Sequence, residues 1–118
     1  QDQWPICTTG KRTTCIVDGD TFWRDGIKYR IVGYDAPEAG EGARCGQERA
    51  LADRATQQLQ RLMSTPGIQY RDQGEDRYGR VLTQVMTQHG DIADQMIKLG
   101  LGHAYRGGYR DRNQWCQS

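Results

Sequence analysis

Carboxylate and guanidinium side chains are concentrated in three short stretches of this 118-residue chain. The stretches read VDGDT at 17–21, RIVGYDAPE at 30–38 and DRYGR at 76–80. Asp20 and Asp35 each stand beside a turn at the end of an expected strand. Two carboxylates that approach one another repel unless a cation lies between them. The first two stretches therefore indicate a cation site.

The residue types in these stretches favour phosphodiester chemistry. Asp20 and Asp35 offer all-oxygen ligation, which suits a hard ion such as Ca²⁺, and two carboxylates leave an open site that can accept a phosphate oxygen. Arg30 and Arg80 would clamp a phosphodiester, because a guanidinium group presents paired donors to phosphate oxygens. Glu38 follows a proline in a stiff turn, where it would take a proton from an attacking water.

Each of these side chains also has a purely structural interpretation. Asp-Gly pairs usually form turns, and an aspartate at a strand end usually accepts hydrogen bonds from local amides. Arg30 and Arg80 would then be exposed strand residues or ordinary ion-pair partners, and Glu38 would be a surface carboxylate. Three acids and two arginines on neighbouring loops favour the joint functional interpretation over five separate structural ones.

Hydrophobic periodicity predicts the elements that must position these side chains. Asp25-Gly26 predicts a two-residue hairpin, because both turn positions favour positive φ. Leu51, Ala55, Leu59 and Leu62 form one apolar stripe, as expected of a helix. We predict five strands, at 13–17, 21–23, 27–31, 68–71 and 80–87, and two helices, at 48–63 and 91–98.

A helix between the third and fourth of five strands is the arrangement of the OB-fold barrel. We therefore predict an all-β fold with α additions: a five-stranded barrel with a helix between strands 3 and 4 and a short helix after strand 5. The length fits a single domain over 1–118, with a core from about 13 to 109. We expect a monomer.

Composition excludes some function classes. The net charge is +1, from 16 basic and 15 acidic residues, so overall basicity indicates no particular partner. Thirteen of the basic residues are arginines, whose planar group matches phosphate and carboxylate oxygens. Hydrophobic residues make up 36% of the chain, and no apolar run approaches the roughly 18 residues that a membrane-spanning helix needs.

Four cysteines in a small polar domain predict two disulfides and an oxidising compartment. Three pairings are possible for four cysteines. We favour Cys7–Cys15, which would close a short N-terminal loop, and Cys45–Cys116, which would tie the C-terminal region to the body. Four free thiols in a cytosolic protein remain the alternative. The preferred interpretation places the protein outside the cytoplasm, either periplasmic or secreted.

The three stretches, in this order and spacing, resemble the thermonuclease family, the calcium-dependent staphylococcal-nuclease-like domains. The resemblance runs from about Cys15 to Tyr109. It implies the OB-fold barrel, Ca²⁺ as cofactor, and DNA and RNA as substrates that are cut to leave 3′-phosphates. Asp20 and Asp35 match the family's calcium carboxylates, and Ala36 takes the position whose backbone carbonyl also ligates the ion.

The same resemblance implies the other site residues. Arg30 and Arg80 match the two catalytic arginines, and Glu38 matches the acid cast as general base. Arg77 and Tyr78 match positions that contact a nucleotide phosphate. Two other functions stay open: a non-catalytic OB-fold module that binds nucleic acid, and a small disulfide-containing domain that binds protein through its tryptophans.

Overall fold

The fold is mostly β structure with two helices. A computed structural model describes residues 3–8, 10, 12–39, 42–105 and 114–116. The helices are α1 (Gly46–Met63) and α2 (Ile92–Lys98). Eight strands occur among the described residues, in the chain order β1 (Cys15–Asp18), β2 (Thr21–Arg24), β3 (Ile27–Ile31), β4 (Gly33–Asp35), β5 (Gln69–Glu75), β6 (Val81–Thr87), β7 (Gly90–Asp91) and β8 (His103–Tyr105). None of the helices in the described part is both long and apolar enough to cross a membrane.

The main sheet has the strand path β1-β2-β3-β6-β5, with β7 paired to β6. Neighbouring strands in it are antiparallel except β3 and β6, which run parallel. Asp25 (φ 54°) and Gly26 (φ 80°) form the turn between β2 and β3, so the predicted Asp-Gly hairpin is confirmed. Strands β4 and β8 form a separate two-stranded sheet.

The predicted strand count is wrong, and the barrel is not closed by the hydrogen bonds of the described strands. The five strands of the main path are those the sequence predicted, whereas β4, β7 and β8 were missed because each is only two or three residues long. Strand β5 is also longer than the strand predicted at 68–71. It continues to Glu75 with exposed polar residues, where a charged loop was expected from Asp72.

Both helices form where the sequence predicts them, α1 from its apolar stripe and α2 from Asp91 as its N-cap. On α1, Ala55 and Leu59 are fully buried, and Leu51 and Leu62 pack partly buried against the same core. α1 lies against β1. Beneath it the β-sheet contributes stacked aromatic rings, with the ring of Phe22 parallel to that of Tyr29 at 5.0 Å between centroids. The hydrophobic core therefore lies between α1 and the sheet.

All four cysteines are paired, and the pairing is the predicted one. Cys7 bonds Cys15, and Cys45 bonds Cys116. The second bridge spans 71 residues of sequence and joins the residue before α1 to the 114–116 segment. The predicted end of the core, at residue 109, lies outside the described residues.

Candidate active site

The turn between β1 and β2 packs directly under α1. A Cβ atom added at Gly19 would lie 2.7 Å from the Cβ of Ala55 on α1 and 2.8 Å from the Cβ of Ala36, so this position has room only for glycine. The Gly19 carbonyl accepts a 2.5 Å hydrogen bond from the Tyr34 hydroxyl. Burial raises the pKa of Tyr34 well above its usual value, so the hydroxyl remains a donor. The turn that carries the first acidic stretch is thereby fixed.

Asp20 and Asp35 lie together in the interior, with only 7% and 5% of their surface exposed. Asp20 Oδ1 accepts a hydrogen bond from the Thr21 hydroxyl at 3.0 Å. Asp20 Oδ2 accepts one from the Ala36 amide at 3.0 Å. The second bond ties the β1–β2 turn to the residue that follows β4. It thus brings together the three residues that the family resemblance assigns to the metal.

Arg30 joins the two aspartates. Its Nη2 atom lies 3.5 Å from Asp20 Oδ2 and 3.5 Å from Asp35 Oδ1. The Nη1 atom donates to the carbonyl of Tyr34 at 3.0 Å and to that of Ile31. The residue is only 8% exposed, so the guanidinium group is held in one orientation before any ligand arrives. Donors fixed in this way need no reorganisation when charge develops on a substrate.

A third acidic side chain, Asp18, lies beside Asp20 in the β1–β2 turn. Asp18 Oδ1 accepts a hydrogen bond from the Asp20 amide at 3.2 Å. Burial raises the pKa of Asp18 well above its usual value, and the charges of Asp20 and Glu38 raise it further. Asp20 and Asp35 together face the single positive charge of Arg30, and an excess of buried negative charge favours the binding of a cation. Sequence reasoning passed over Asp18 as a turn residue.

The oxygen atoms here fit an open site rather than a closed metal cage. Across the described ranges, no three His, Cys, Asp or Glu side chains converge to hold a metal ion. Asp20 and Asp35, with the Ala36 carbonyl and water, would supply only hard oxygen ligands. That set suits Ca²⁺, which takes six to eight oxygens and accepts irregular geometry.

Glu38 is positioned by a buried acid that sequence reasoning missed. Glu48, 1% exposed in the first turn of α1, accepts the Glu38 amide on Oε2 and the Arg44 amide on Oε1, each at 2.9 Å. One carboxylate therefore closes both ends of the loop between Glu38 and α1. An acid in the first turn is a familiar helix-start signal, but nothing local indicates that it reaches back to residue 38.

Arg80 immediately precedes β6, the strand that pairs with the strand of Arg30. Arg30 pairs with Leu82 across β3 and β6, so Arg80 lies two residues before the partner of Arg30. Its guanidinium Nε donates to Asp76 Oδ2 at 2.7 Å. Among the ion pairs of the described residues, Arg80 therefore meets Asp76, whereas Arg30 meets the two buried aspartates.

Asp76 organises the loop that carries the third stretch. Its Oδ1 atom accepts the amides of Tyr78 at 2.9 Å and of Arg80 at 3.0 Å. Desolvation alone would raise the pKa of Asp76, but the hydrogen bonds from Arg80 and Tyr78 outweigh it, and the pKa is lowered. The carboxylate therefore stays ionised and keeps Arg80 and Tyr78 in a defined arrangement.

Arg77 and Tyr78 form an exposed basic and aromatic surface beside Arg80. Tyr78 is 69% exposed. The guanidinium carbons of Arg77 and Arg80 lie 5.1 Å and 5.7 Å from the centre of its ring. An exposed ring flanked by cations is suited to stacking on a base while the cations meet phosphates.

Comparison with known proteins identifies the family. The family described as "Staphylococcal nuclease homologue" matches residues 28–117. The chain belongs to this family. The predicted resemblance is therefore confirmed, on a match that includes Arg30, Asp35 and Arg80.

Two curated proteins resemble the chain. One is an "Uncharacterized endonuclease" from Haemophilus influenzae, 30% identical over an alignment of 108 residues that covers 85% of this chain and 56% of the relative. The other is a "Micrococcal nuclease" from Shigella flexneri, 34% identical over an alignment of 104 residues that covers 77% of this chain and 55% of the relative. The chain thus spans about half the length of the curated relatives it matches.

Proposed function

We propose that this chain is a Ca²⁺-dependent, sugar-non-specific endonuclease that hydrolyses phosphodiester bonds of DNA and RNA and leaves 3′-phosphates. The observation that carries the proposal is the buried pair Asp20 and Asp35, with Arg30 held between them. Membership of the staphylococcal nuclease homologue family supports it, as do relatives named as nucleases. A non-catalytic binding module or a protein-interaction domain has no need of such a costly buried charge cluster.

Asp20, Asp35 and the Ala36 carbonyl would hold the ion. Bound Ca²⁺ supplies positive charge and Lewis acidity to a non-bridging phosphate oxygen. The excess negative charge of Asp20 and Asp35 over Arg30 favours that binding. Because the protein is close to neutral overall, a local positive centre beside the two arginines is what would attract a polyanion.

Arg30 and Arg80 stabilise the transition state. Water attacks the phosphorus in line with the bond to O5′. As the new P–O bond forms, the P–O5′ bond breaks, and the 5′-oxygen takes a proton from solvent water and leaves as the 5′-hydroxyl. The phosphate oxygens gain charge during this step, and guanidinium donors fixed beforehand stabilise that charge. Arg30 is fixed by the carbonyls of Ile31 and Tyr34, and Arg80 by Asp76.

Glu38 accepts the proton of the attacking water. Its backbone is held by Glu48. A Cβ at Gly42 would lie 3.6 Å from Glu38 Oε2, so the carboxylate lies against the loop that Glu48 closes. A general base must be held within hydrogen-bond reach of the proton that it removes. The two hydrogen bonds that Glu48 accepts fix the loop of Glu38 and so support this role.

Arg77 and Tyr78 bind the nucleotide next to the cleaved bond, through a phosphate contact and base stacking. We also propose that residues 1–118 act as a single, monomeric domain. The two disulfides support a location outside the cytoplasm, in the periplasm or after secretion.

The test is a nuclease assay on single-stranded DNA and on RNA, with Ca²⁺ or with EDTA. Arg30→Ala should lose roughly 10²–10³ in rate, the usual effect of removing one fixed donor at a developing charge. Arg71→Ala, an exposed arginine on β5, is the matched control and should keep wild-type activity. Equal rates for Arg30→Ala and wild type, or cleavage that persists in EDTA, would overturn the proposal.

A further inference from the structure

The 114–116 segment lies against the buried aspartates. Gln114 Nε2 donates a 2.8 Å hydrogen bond to Asp35 Oδ2, across 79 residues of sequence. Its Oε1 atom lies 2.5 Å from His103 Nδ1. Because the amide nitrogen of Gln114 is turned toward Asp35, its carbonyl oxygen accepts from His103. The side chain thus bridges a donor on β8 and a carboxylate at the end of β4.

Several contacts fix Gln114 in this place. His103 pairs with Asp35 in the β4–β8 ladder. The buried Trp115 ring stacks on the His103 ring, with centroids 3.9 Å apart and planes within 5°. Cys116 is bonded to Cys45. The carboxamide is therefore held from both sides, through its histidine partner and through the disulfide two residues later.

We propose that Gln114 is a positioning residue for Asp35 and so for Ca²⁺ binding; this inference rests on the proposed function. Gln114 donates to Oδ2 of Asp35, and Arg30 forms an ion pair with Oδ1. With a donor on each oxygen, the plane of the carboxylate is fixed. Groups that hold a metal-ligating carboxylate in this manner typically contribute 10–100-fold to metal affinity.

The chemistry of glutamine suits this role. A lysine or arginine at 114 would orient Asp35 equally well, but its positive charge would oppose the cation. A glutamate would repel Asp35. A neutral amide donates without changing the charge of the site, and its second end accepts from His103.

The experiment measures Ca²⁺ affinity by isothermal titration calorimetry, without nucleic acid, for wild type, Gln114→Ala and Gln114→Asn. Gln114→Ala should bind Ca²⁺ about 10–100-fold more weakly, and excess Ca²⁺ should restore its cleavage rate. Gln114→Asn is one methylene shorter and should also bind more weakly; it decides the question if the alanine variant does not fold. Gln73→Ala, exposed on β5, is the control and should bind like wild type.

The outcomes separate the two proposals. If wild type binds Ca²⁺ and cleaves, but the folded Gln114 variants have wild-type affinity, Gln114 has no positioning role and the nuclease proposal stands. If wild type binds no Ca²⁺, both proposals fall. A loss of activity in Gln114→Ala with unchanged Ca²⁺ affinity, not restored by excess Ca²⁺, also overturns the role proposed for Gln114.

Discussion

Substitution of Glu48 by glutamine tests the positioning of Glu38. The buried Glu48 carboxylate accepts the amides of Glu38 and Arg44, one on each oxygen. Glutamine has nearly the same shape but only one acceptor oxygen. Whichever way the carboxamide turns, its NH₂ group faces one of the two amides, and that amide is left buried without an acceptor.

The magnitude follows from those two bonds. A hydrogen bond to a charged group contributes about 1.5–3 kcal/mol, and an unsatisfied buried amide has a similar cost. Because glutamine avoids the cost of burying a charge, we expect a net loss of about 2 kcal/mol. With a urea m-value of about 2 kcal/mol/M, the unfolding midpoint should fall by about 1 M.

The assay compares urea unfolding and cleavage rate for Glu48→Gln and for Glu75→Gln. Glu75 is exposed on β5, and its substitution should change stability by less than about 0.5 kcal/mol. Glu48→Gln should also lower kcat about tenfold or more when folded, because displacement of a catalytic group is costly. Equal unfolding midpoints for the two variants would refute the role assigned to Glu48.

Three further results are expected from unfolding measurements. Asp76→Asn should destabilise the protein by about 1–2 kcal/mol at neutral pH. Since the pKa of Asp76 is lowered on folding, this loss of stability should disappear as pH falls below about 4 and through the folded pKa. A loss that stays constant with pH would contradict the role of the Asp76 carboxylate. Removing the Cys45–Cys116 disulfide should lower the free energy of unfolding by about 4 kcal/mol, and removing Cys7–Cys15 by about 2.5 kcal/mol. The first closes a loop of 71 residues and the second a loop of 8, and a longer loop restricts the unfolded chain more. The reverse order would contradict this explanation. Gly19→Ala should lower the free energy of unfolding by about 1–3 kcal/mol through overpacking. Gly46→Ala, where an added Cβ meets nothing within 4 Å, should leave it unchanged. Equal effects of the two substitutions would show that the β1–β2 turn tolerates a side chain.

Local patterns sufficed for the elements that bury a repeating apolar face. The stripe containing Ala55 and Leu59 identified α1 because burial imposes that period. The alternation in Ile27–Ile31 located β3, although Ile27 is exposed in the structure and Arg30 is buried. The short strands β4 and β8 carry no such repeat. They form because Asp35 and His103, distant in sequence, are brought into one ladder, which no local pattern encodes.

The site divides in the same way. Asp20, Asp35 and Arg30 were predicted from turn positions and residue type, and the structure brings them together. Glu48 and Gln114 were missed because their roles depend on contacts made across the fold. The bond from Gln114 to Asp35 spans 79 residues, and a polar residue near the end of a chain gives no sign of such a partner.

The Ca²⁺ dependence of DNA cleavage by wild type and Asp20→Asn, measured side by side, tests the central claim most directly. Asp20 contacts both Arg30 and Ala36, so its neutralisation removes charge at the point where the ion would bind. Wild-type activity should saturate with Ca²⁺ and vanish in EDTA, and Asp20→Asn should need at least tenfold more Ca²⁺ or lose cleavage altogether. Identical Ca²⁺ dependence in the two proteins would contradict a metal-assisted nuclease centre at these aspartates.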